Sequence, residues 1–367
     1  MFYDKEFESV IGLLKSGNLC GWWKNPNGGP YLREFEKKFA EFIGVNHAIA
    51  VTNGSSAIYV SLKACDVGEG DSVAVCPYTH VGSVAPIRLA GGLPLYVDCD
   101  DYGNIDPKQL SEEKSNIKAV IAAHQLGQPC EMEKISQKAG FQYVIEDCSQ
   151  ALGAMYKKKK VGSIGDIGCY SIGGDMTKTI SIGEGGMIVT NDDKLAEKCR
   201  NIRNHGERDG ADYQCFNFRI SDLQAAVGLL QMDNLQDQID WQIENAKYLI
   251  KNLPDCLEFP EPPKYTSPAY YILGCNYQIP KTGMTRDQFL DKVKEKGFDG
   301  GLPRKNVGSG YSKLVSDIPF YKDAGKSFPK AEKKRDNSVW IDWHRYPRTK
   351  EEIDKLLDAL KEIVNGG

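Results

Sequence analysis

Three stretches of the chain carry residue types that could do chemistry. VIEDCSQALGAMY sets Asp147 directly after an apolar run, where a carboxylate removed from water is costly unless a cation or donors meet it. A helix N-cap or a plain ion pair would meet that need. So would the protonated ring nitrogen of a pyridine cofactor, which an Asp keeps charged so that the ring can draw electrons from an adjacent carbanion. TNGSSAIYVSL places Asn53, Gly54, Ser55 and Ser56 where a strand gives way to a helix. Unpaired N–H groups, the positive end of the helix dipole and hydroxyl donors suit a phosphate dianion there, while ordinary capping by Ser and Asn is the plainer alternative. CYSIGGDMTKTISIGEGGMIVTND holds Lys178 in a Gly- and Thr-rich stretch, after Ser171 and before Gly183, Glu184, Gly185 and Gly186. A lysine amine deprotonated by burial or neighbouring charge forms an imine with an aldehyde, although most lysines simply face water.

The order of the three is more informative than any one of them. A phosphate cradle, then a strand-end Asp, then a Lys is similar to the plan of fold-type I enzymes that use pyridoxal 5′-phosphate (PLP). The chain further resembles the DegT/DnrJ/StrS-type sugar aminotransferases along nearly its whole length. LREFEKKFAEFIGVNHAIAVTNGSSA, GGLPLYVDCD, HQLGQP, EDCSQALGAMY, VGSIGDIGCYS, GEGGMIVTND, RNHG and FNFRISDLQAAVGLLQ fall in that family's order.

The resemblance implies a PLP-dependent aminotransferase that cycles through pyridoxamine 5′-phosphate. It would move an amino group from an amino acid, L-glutamate by the family's habit, to a keto sugar that is commonly nucleotide-linked. Lys178 would be the imine-forming lysine and Asp147 the partner of the pyridine nitrogen. Gln150 would lie near the cofactor's phenolic oxygen. Gly54, Ser55, Ser56 and Ser171 would contact the phosphate. Asn217 of FNFR would reach across from a neighbouring subunit, so a homodimer with shared active sites is expected. Arg219 is a further candidate, for an anionic group of substrate or donor. Two other readings stay open: a related acceptor such as an inosose or a keto-sugar acid, and a non-catalytic PLP or sugar-nucleotide sensor, which the intact set of Lys178, Asp147 and Gln150 argues against.

Departures from the family pattern mark where a specialised substrate would show. In PYTHVGS the residue after the Thr is His80, where the family usually has Phe or Trp to stack on the cofactor ring; a neutral imidazole can still stack. The run IGGDMT between Ser171 and Lys178 is longer than usual. NSVWIDWHRYPRT replaces a Leu-Pro-Leu type segment, with Trp340 and Trp343 as packing aromatics or substrate contacts. WWKNPNGGPYL could form an acceptor wall or an irregular arm.

These residues need a scaffold, and the pattern supplies one. HAIAV, SVAVCP, PLYVDC, KAVIAAH, YVIEDC, IGCYS and GGMIVTN read as strands, most of them continuously apolar, as in a mainly parallel sheet buried on both faces. SAIYVSLKAC, VGSVAPIRLAG and EMEKISQKAG read as crossover helices. The expected fold is α/β, a fold-type I aminotransferase with a mixed, mostly parallel sheet flanked by helices, plus a smaller C-terminal α+β domain. Function should gather at the carboxyl ends of the strands. One or two long helices follow residue 220 and lead to the break PDCLEFPEPPKYTSP, so an arm and large domain are expected over 1–245 and a small domain over 246–367. TRDQFLDKVKEKG and TKEEIDKLLDALKEIV read as helices of the latter. Lys157 to Lys160 reads as a solvated hairpin turn.

At 367 residues and 41% hydrophobic content the chain can bury a large core. Its 46 basic and 50 acidic side chains leave a net charge of −4 without a basic arm, so a small molecule is a better expected partner than nucleic acid. Eleven scattered cysteines without a CxxC pair suggest reduced thiols and no metal site. There is no basic, apolar leader and no run long enough to span a bilayer, so the expected location is cytoplasmic and away from membranes.

Overall fold

The computed structural model describes residues 4–22, 25–113, 116–137, 140–174, 178–206, 215–280, 283–298, 306–322, 326–342 and 349–365. All seven apolar runs become strands of one sheet: β1 His47–Val51, β2 Ser72–Val75, β3 Leu93–Tyr96, β4 Ile117–Ala123, β5 Tyr143–Asp147, β6 Ile167–Ser171 and β7 Gly186–Thr190. Their order across the sheet is β1-β7-β6-β5-β4-β2-β3. Pairing is parallel from β3 through to β6, whereas β7 runs antiparallel to both β1 and β6. The central strands are buried on both faces, as continuous apolar runs require.

Helices cover the sheet. Gly54–Ala64 starts at Asn53, whose side chain accepts from the Ser56 amide at 2.8 Å. Val81–Leu89 starts at His80. The third expected crossover helix is shorter than its pattern suggests, Met132–Ser136. Pro30–Ile43 packs Leu32, Phe35 and Phe39 into a second apolar cluster together with Tyr170 and Met187. The region after residue 220 is two helices, Asp222–Met232 and Leu235–Asn252.

The C-terminal part has a four-stranded sheet of its own, in the order Leu257–Glu258, Leu273–Tyr277, Ser338–Asp342, Asn306–Gly308. Helices Arg286–Glu295 and Lys350–Asn365 close a third cluster around Leu273, Phe289, Ile341 and Leu357. Asp98, just past β3, clamps this part to the large sheet by accepting from the amides of Lys330 and Ala331, at the start of helix Pro329–Asn337.

The lysine run does form a hairpin turn, with Lys157 and Lys158 at positive φ. It is less solvated than expected. Lys160 donates from Nζ to the Phe42 carbonyl at 2.5 Å and lies over the Phe42 ring, and burial pulls its pKa down.

Candidate active site

The carboxyl ends of β4, β5 and β6 and the starts of helices Gly54–Ala64 and Val81–Leu89 enclose a cavity of about 480 Å³. Among its lining residues are Gly54, Ser55, His80, Asp147, Gln150, Ser171 and Lys178. Seven of the ten residues singled out in the sequence therefore meet in one place.

Asp147 ends β5 and is buried. Its Oδ2 accepts from the Ser83 hydroxyl at 2.7 Å and its Oδ1 from the Ser149 amide at 3.0 Å. Each oxygen keeps a lone pair for a further donor. The preceding residue projects to the other face of the strand, as period-two alternation demands. There Glu146, fully buried, accepts from His124 Nε2 at 3.0 Å and from the amides of Gly162, Ile164 and Gly165 at 2.7–2.8 Å. Burial by itself would raise the Glu146 pKa, but the His124 hydrogen bond and the amide donors outweigh it and leave the carboxyl below its usual range. His124 Nδ1 accepts from the Cys130 amide at 2.9 Å, which leaves the ring proton on Nε2. His124, Glu146 and Cys148 lie close enough to be considered as a metal set, yet hydrogen bonds already take both ring nitrogens of His124 and both oxygens of Glu146.

The helix start at Gly54 has the shape of an anion cradle. Asn53 satisfies the amides of Ser56 and Ala57, through its side chain and its carbonyl respectively. The amides of Gly54 and Ser55, in the first helical turn, have no carbonyl four residues back within the helix and can meet a ligand. A Cβ on Gly54 would lie 2.9 Å from Ser171 Cβ and 3.1 Å from Ser149 Oγ, and one on Gly82 would lie 2.8 Å from Ser55 Oγ. Three serine side chains thus crowd these two glycines, where a Cβ would not fit. Ser56 stands apart: its hydroxyl accepts from Thr52 at 2.9 Å, and it does not line the cavity.

Lys178 is held in a loop braced by the chain on both sides. Ile172 and Gly174 donate to the carbonyls of Gly185 and Gly183, extending the pairing of β6 with β7. Helix Asp222–Met232 contributes Gln231, which bonds the Ser181 amide and carbonyl at 2.8 and 2.7 Å, and Gln224, which donates to the Glu184 carbonyl at 2.8 Å. The Lys178 amine donates to the Ser149 carbonyl at 2.5 Å and lies 4.6 Å from the centroid of the Tyr271 ring. Of the longer IGGDMT run, residues 175–177 lie outside the described residues, and Ser171 still lines the cavity beside Gly54.

Gln150 is fixed through both ends of its amide. Leu126 donates its N–H to Oε1 at 2.7 Å, and Nε2 donates to the Tyr311 hydroxyl at 3.3 Å. Leu126 adopts φ +56°, a left-handed conformation that costs on the order of 1 kcal/mol and is held by the surrounding turn. Gly127, at φ +91°, lets residues 269–271 approach: a Cβ there would lie 2.9 Å from the amides of Tyr270 and Tyr271. That contact delivers Tyr271 to the lysine.

His80 lines the cavity, and its Nδ1 accepts from the Gly82 amide at 3.0 Å, so the imidazole also caps the helix that follows. Trp340 lies edge-on to Tyr311 at 4.8 Å and is both a packing residue and part of the wall. Trp343 falls outside the described residues, as do Trp23 and Lys24 of the WWKNPNGGPYL segment. Asn217 and Arg219 do not line the cavity of the single chain. Asn217 is exposed, while Arg219 donates to Asn204 Oδ1 at 2.6 Å and lies over the Trp22 ring.

Sequence reasoning missed Ser83, Thr79, Gln125, Tyr271 and Tyr311. Ser83 and Thr79 stand four apart in PYTHVGS, a spacing that brings side chains together at a helix start. The two tyrosines carried no local signal, because remote segments deliver them.

The pieces fit a phosphorylated pyridine aldehyde: an anion cradle at one end, a buried carboxylate with spare lone pairs at the other, and an amine on the same cavity. Comparison with known proteins agrees. The model of the DegT/DnrJ/EryC1/StrS aminotransferase family matches residues 4–361. GDP-perosamine synthase of Escherichia coli O157:H7 is 33% identical over 276 residues, 73% of this chain and 74% of the relative. A dTDP-3-amino-3,6-dideoxy-alpha-D-galactopyranose transaminase of Aneurinibacillus thermoaerophilus is 35% identical over 260 residues, 69% of each chain. The solved structure of the aminotransferase from Psychrobacter cryohalolentis superposes with a TM-score of 0.83 at 29% identity, covering 100% of this chain and 98% of that one.

Proposed function

The chain belongs to the DegT/DnrJ/EryC1/StrS aminotransferase family of PLP-dependent enzymes, and on that premise we propose that it transfers an amino group from L-glutamate to a nucleotide-linked keto sugar. The observation that carries this reading is the convergence of Lys178, Asp147 and the Gly54 cradle on one cavity. Its support for the acceptor class is the chemistry named for the two relatives, one GDP-linked and one dTDP-linked.

PLP, when bound, supplies an electron sink that makes the hydrogen on the carbon bearing the amine acidic. The protein's own residues do the rest. The amides of Gly54 and Ser55 and the hydroxyls of Ser55, Ser149 and Ser171 hold the phosphate. Asp147 would pair with the ring nitrogen and favour its protonated form. Gln150, pinned by Leu126, faces the phenolic oxygen. The Lys178 amine is the group that would take up the proton from the donor's α-carbon and, in the reverse sense, supply one to the carbon of the acceptor that receives the amine. Glutamate leaves as 2-oxoglutarate and the keto sugar leaves as an amino sugar.

Asn217, exposed on the single chain, is proposed to serve the cavity of a second copy in a homodimer. The same reading places the enzyme in the cytoplasm. No helix among the described residues is long and apolar enough to cross a membrane.

The test is a coupled assay of the PLP-loaded protein with glutamate and keto sugars presented as GDP or dTDP conjugates and as free sugars. Formation of 2-oxoglutarate that requires a nucleotide-linked acceptor supports the proposal. Equal turnover of free keto sugars or of an inosose moves the acceptor class. Binding of PLP with no turnover of any donor overturns the transfer.

A further inference from the structure

Behind Asp147 runs a chain of three side chains to which the reaction described above gives no part. The Ser83 hydroxyl lies 2.7 Å from Asp147 Oδ2, the Thr79 hydroxyl 3.1 Å from Ser83 Oγ, and Gln125 Nε2 2.7 Å from Thr79 Oγ1. All three are at most 3% exposed, so bulk water does not compete with these links. Gln125 is itself anchored, since its backbone N–H donates to Asn104 Oδ1 at 2.9 Å while Asn104 Nδ2 donates to the carbonyls of Gln128 and Pro129.

The direction of every proton in the chain follows from its inner end. An ionised carboxylate only accepts, so Ser83 donates to Asp147. A hydroxyl has one proton, so Ser83 has none left for Thr79, and Thr79 donates to Ser83. Thr79 has then spent its own proton, so Gln125 must present its NH₂ group. This argument fixes the amide's orientation without reference to how its two ends were assigned. The same orientation leaves Gln125 Oε1 buried with no partner among the described residues, a local cost that packing alone does not call for.

We infer that Gln125, Thr79 and Ser83 form a one-way donor chain that holds Asp147 ionised and aims its remaining lone pairs at the cationic ring nitrogen of the cofactor. They are positioning residues, acting through Asp147. The inference rests on Asp147 being the partner of that nitrogen. Each donor stabilises the charge on the acceptor it faces, so the carboxylate stays the weaker base and the proton stays on the ring. A carboxylate packed in the same place without the chain would draw the proton toward itself.

The experiment is nitrogen-15 NMR of PLP labelled at the ring nitrogen, bound to wild type, Ser83→Ala, Ser83→Thr, Gln125→Glu and Asp147→Asn, with the cofactor dissociation constant measured alongside. In wild type the resonance should sit at the protonated position. In Ser83→Ala it should move toward the neutral position, because the more basic carboxylate takes a larger share of the proton. Ser83→Thr, which keeps the hydroxyl, should restore it. Gln125→Glu can only accept, so it turns the Thr79 proton away from Ser83 and should give a smaller shift in the same direction. If Ser83→Ala and Gln125→Glu weaken binding but leave the resonance at the wild-type position, the chain is packing and the inference fails. If Asp147→Asn also leaves the resonance unchanged, the pairing of Asp147 with the ring nitrogen is what fails.

Discussion

The Nζ of Lys178 lies 4.6 Å from the centre of the Tyr271 ring, so the amine on the loop after β6 meets an aromatic face brought from the C-terminal half of the chain. With the Ser149 carbonyl 2.5 Å away, the amine is located by two contacts from different elements. A cation over an aromatic face in a partly desolvated site is worth about 1–2 kcal/mol, enough to select one side-chain position among several.

Replacing Lys178 by Ala should abolish covalent capture of PLP while leaving the cradle and Asp147 in place. Borohydride treatment followed by mass spectrometry should show the cofactor fixed to wild type and absent from the variant. Turnover should fall by roughly 10²- to 10⁴-fold, the range for loss of a positioned acid–base group.

Gly54→Ala should weaken PLP binding without unfolding the protein. The new Cβ would press on Ser171 Cβ at 2.9 Å and fill the cradle. Overpacking of this kind costs about 1–3 kcal/mol, or roughly 5- to 150-fold in the dissociation constant, which fluorescence titration of the apoenzyme would read. Unchanged affinity would place the phosphate elsewhere.

Glu146→Gln should destabilise the fold at neutral pH by about 3 kcal/mol, because the new NH₂ group faces N–H donors that the carboxylate now accepts from. The pH dependence carries a definite sign. The folded carboxyl titrates below its ordinary range, so its contribution is complete above the unfolded value near ~4.3 and is lost as pH falls through the lower folded value. Urea denaturation of both proteins should therefore show the gap between them holding above that value and closing below it.

Tyr311→Phe removes the hydroxyl that accepts from Gln150 and frees one end of the amide. Burial keeps the Tyr311 phenol protonated well above its ordinary range, so it remains a donor to the cavity at any working pH. The variant should lose about 0.5–1.5 kcal/mol, roughly 2- to 12-fold in acceptor KM or cofactor affinity, with thermal stability close to wild type. Steady-state kinetics against both substrates would separate the two.

What could be read from the sequence was whatever is written locally. The strands were visible because burial on both faces makes each of them a continuous apolar run. Gly54 and Asp147 were visible because each sits at the end of a helix or strand, and Lys178 because it lies in a Gly- and Thr-rich loop between two strands. The antiparallel direction of β7 was not visible, since an apolar pentapeptide reads the same in either sense. Tyr271 and Tyr311 were hidden for a related reason: an aromatic acts at the site only after Gly127 and the β-sheet around Trp340 bring it there. His80 was expected as a stacking ring, and its added duty as a helix cap depends on a backbone amide two residues on. Asn217 and Arg219 were named with the site, yet they lie away from the cavity of the single chain.

The pairing of β1 with β7 bears on how the molecule is made. His47 pairs with Thr190 and Val51 with Gly186, so the edge strand that leads into the cradle waits for a partner encoded much later. As the chain leaves the ribosome, β2, β3, β4 and β5 can assemble in parallel while β1 has no neighbour in the sheet. Such distant pairings are slow to close, and an unpaired apolar strand is prone to association in the meantime. Ser171 also arrives late, so the phosphate grip can form only once the sheet is complete. Cofactor capture would then report on finished molecules alone, and PLP added during refolding should raise the yield by trapping the closed sheet without speeding its formation.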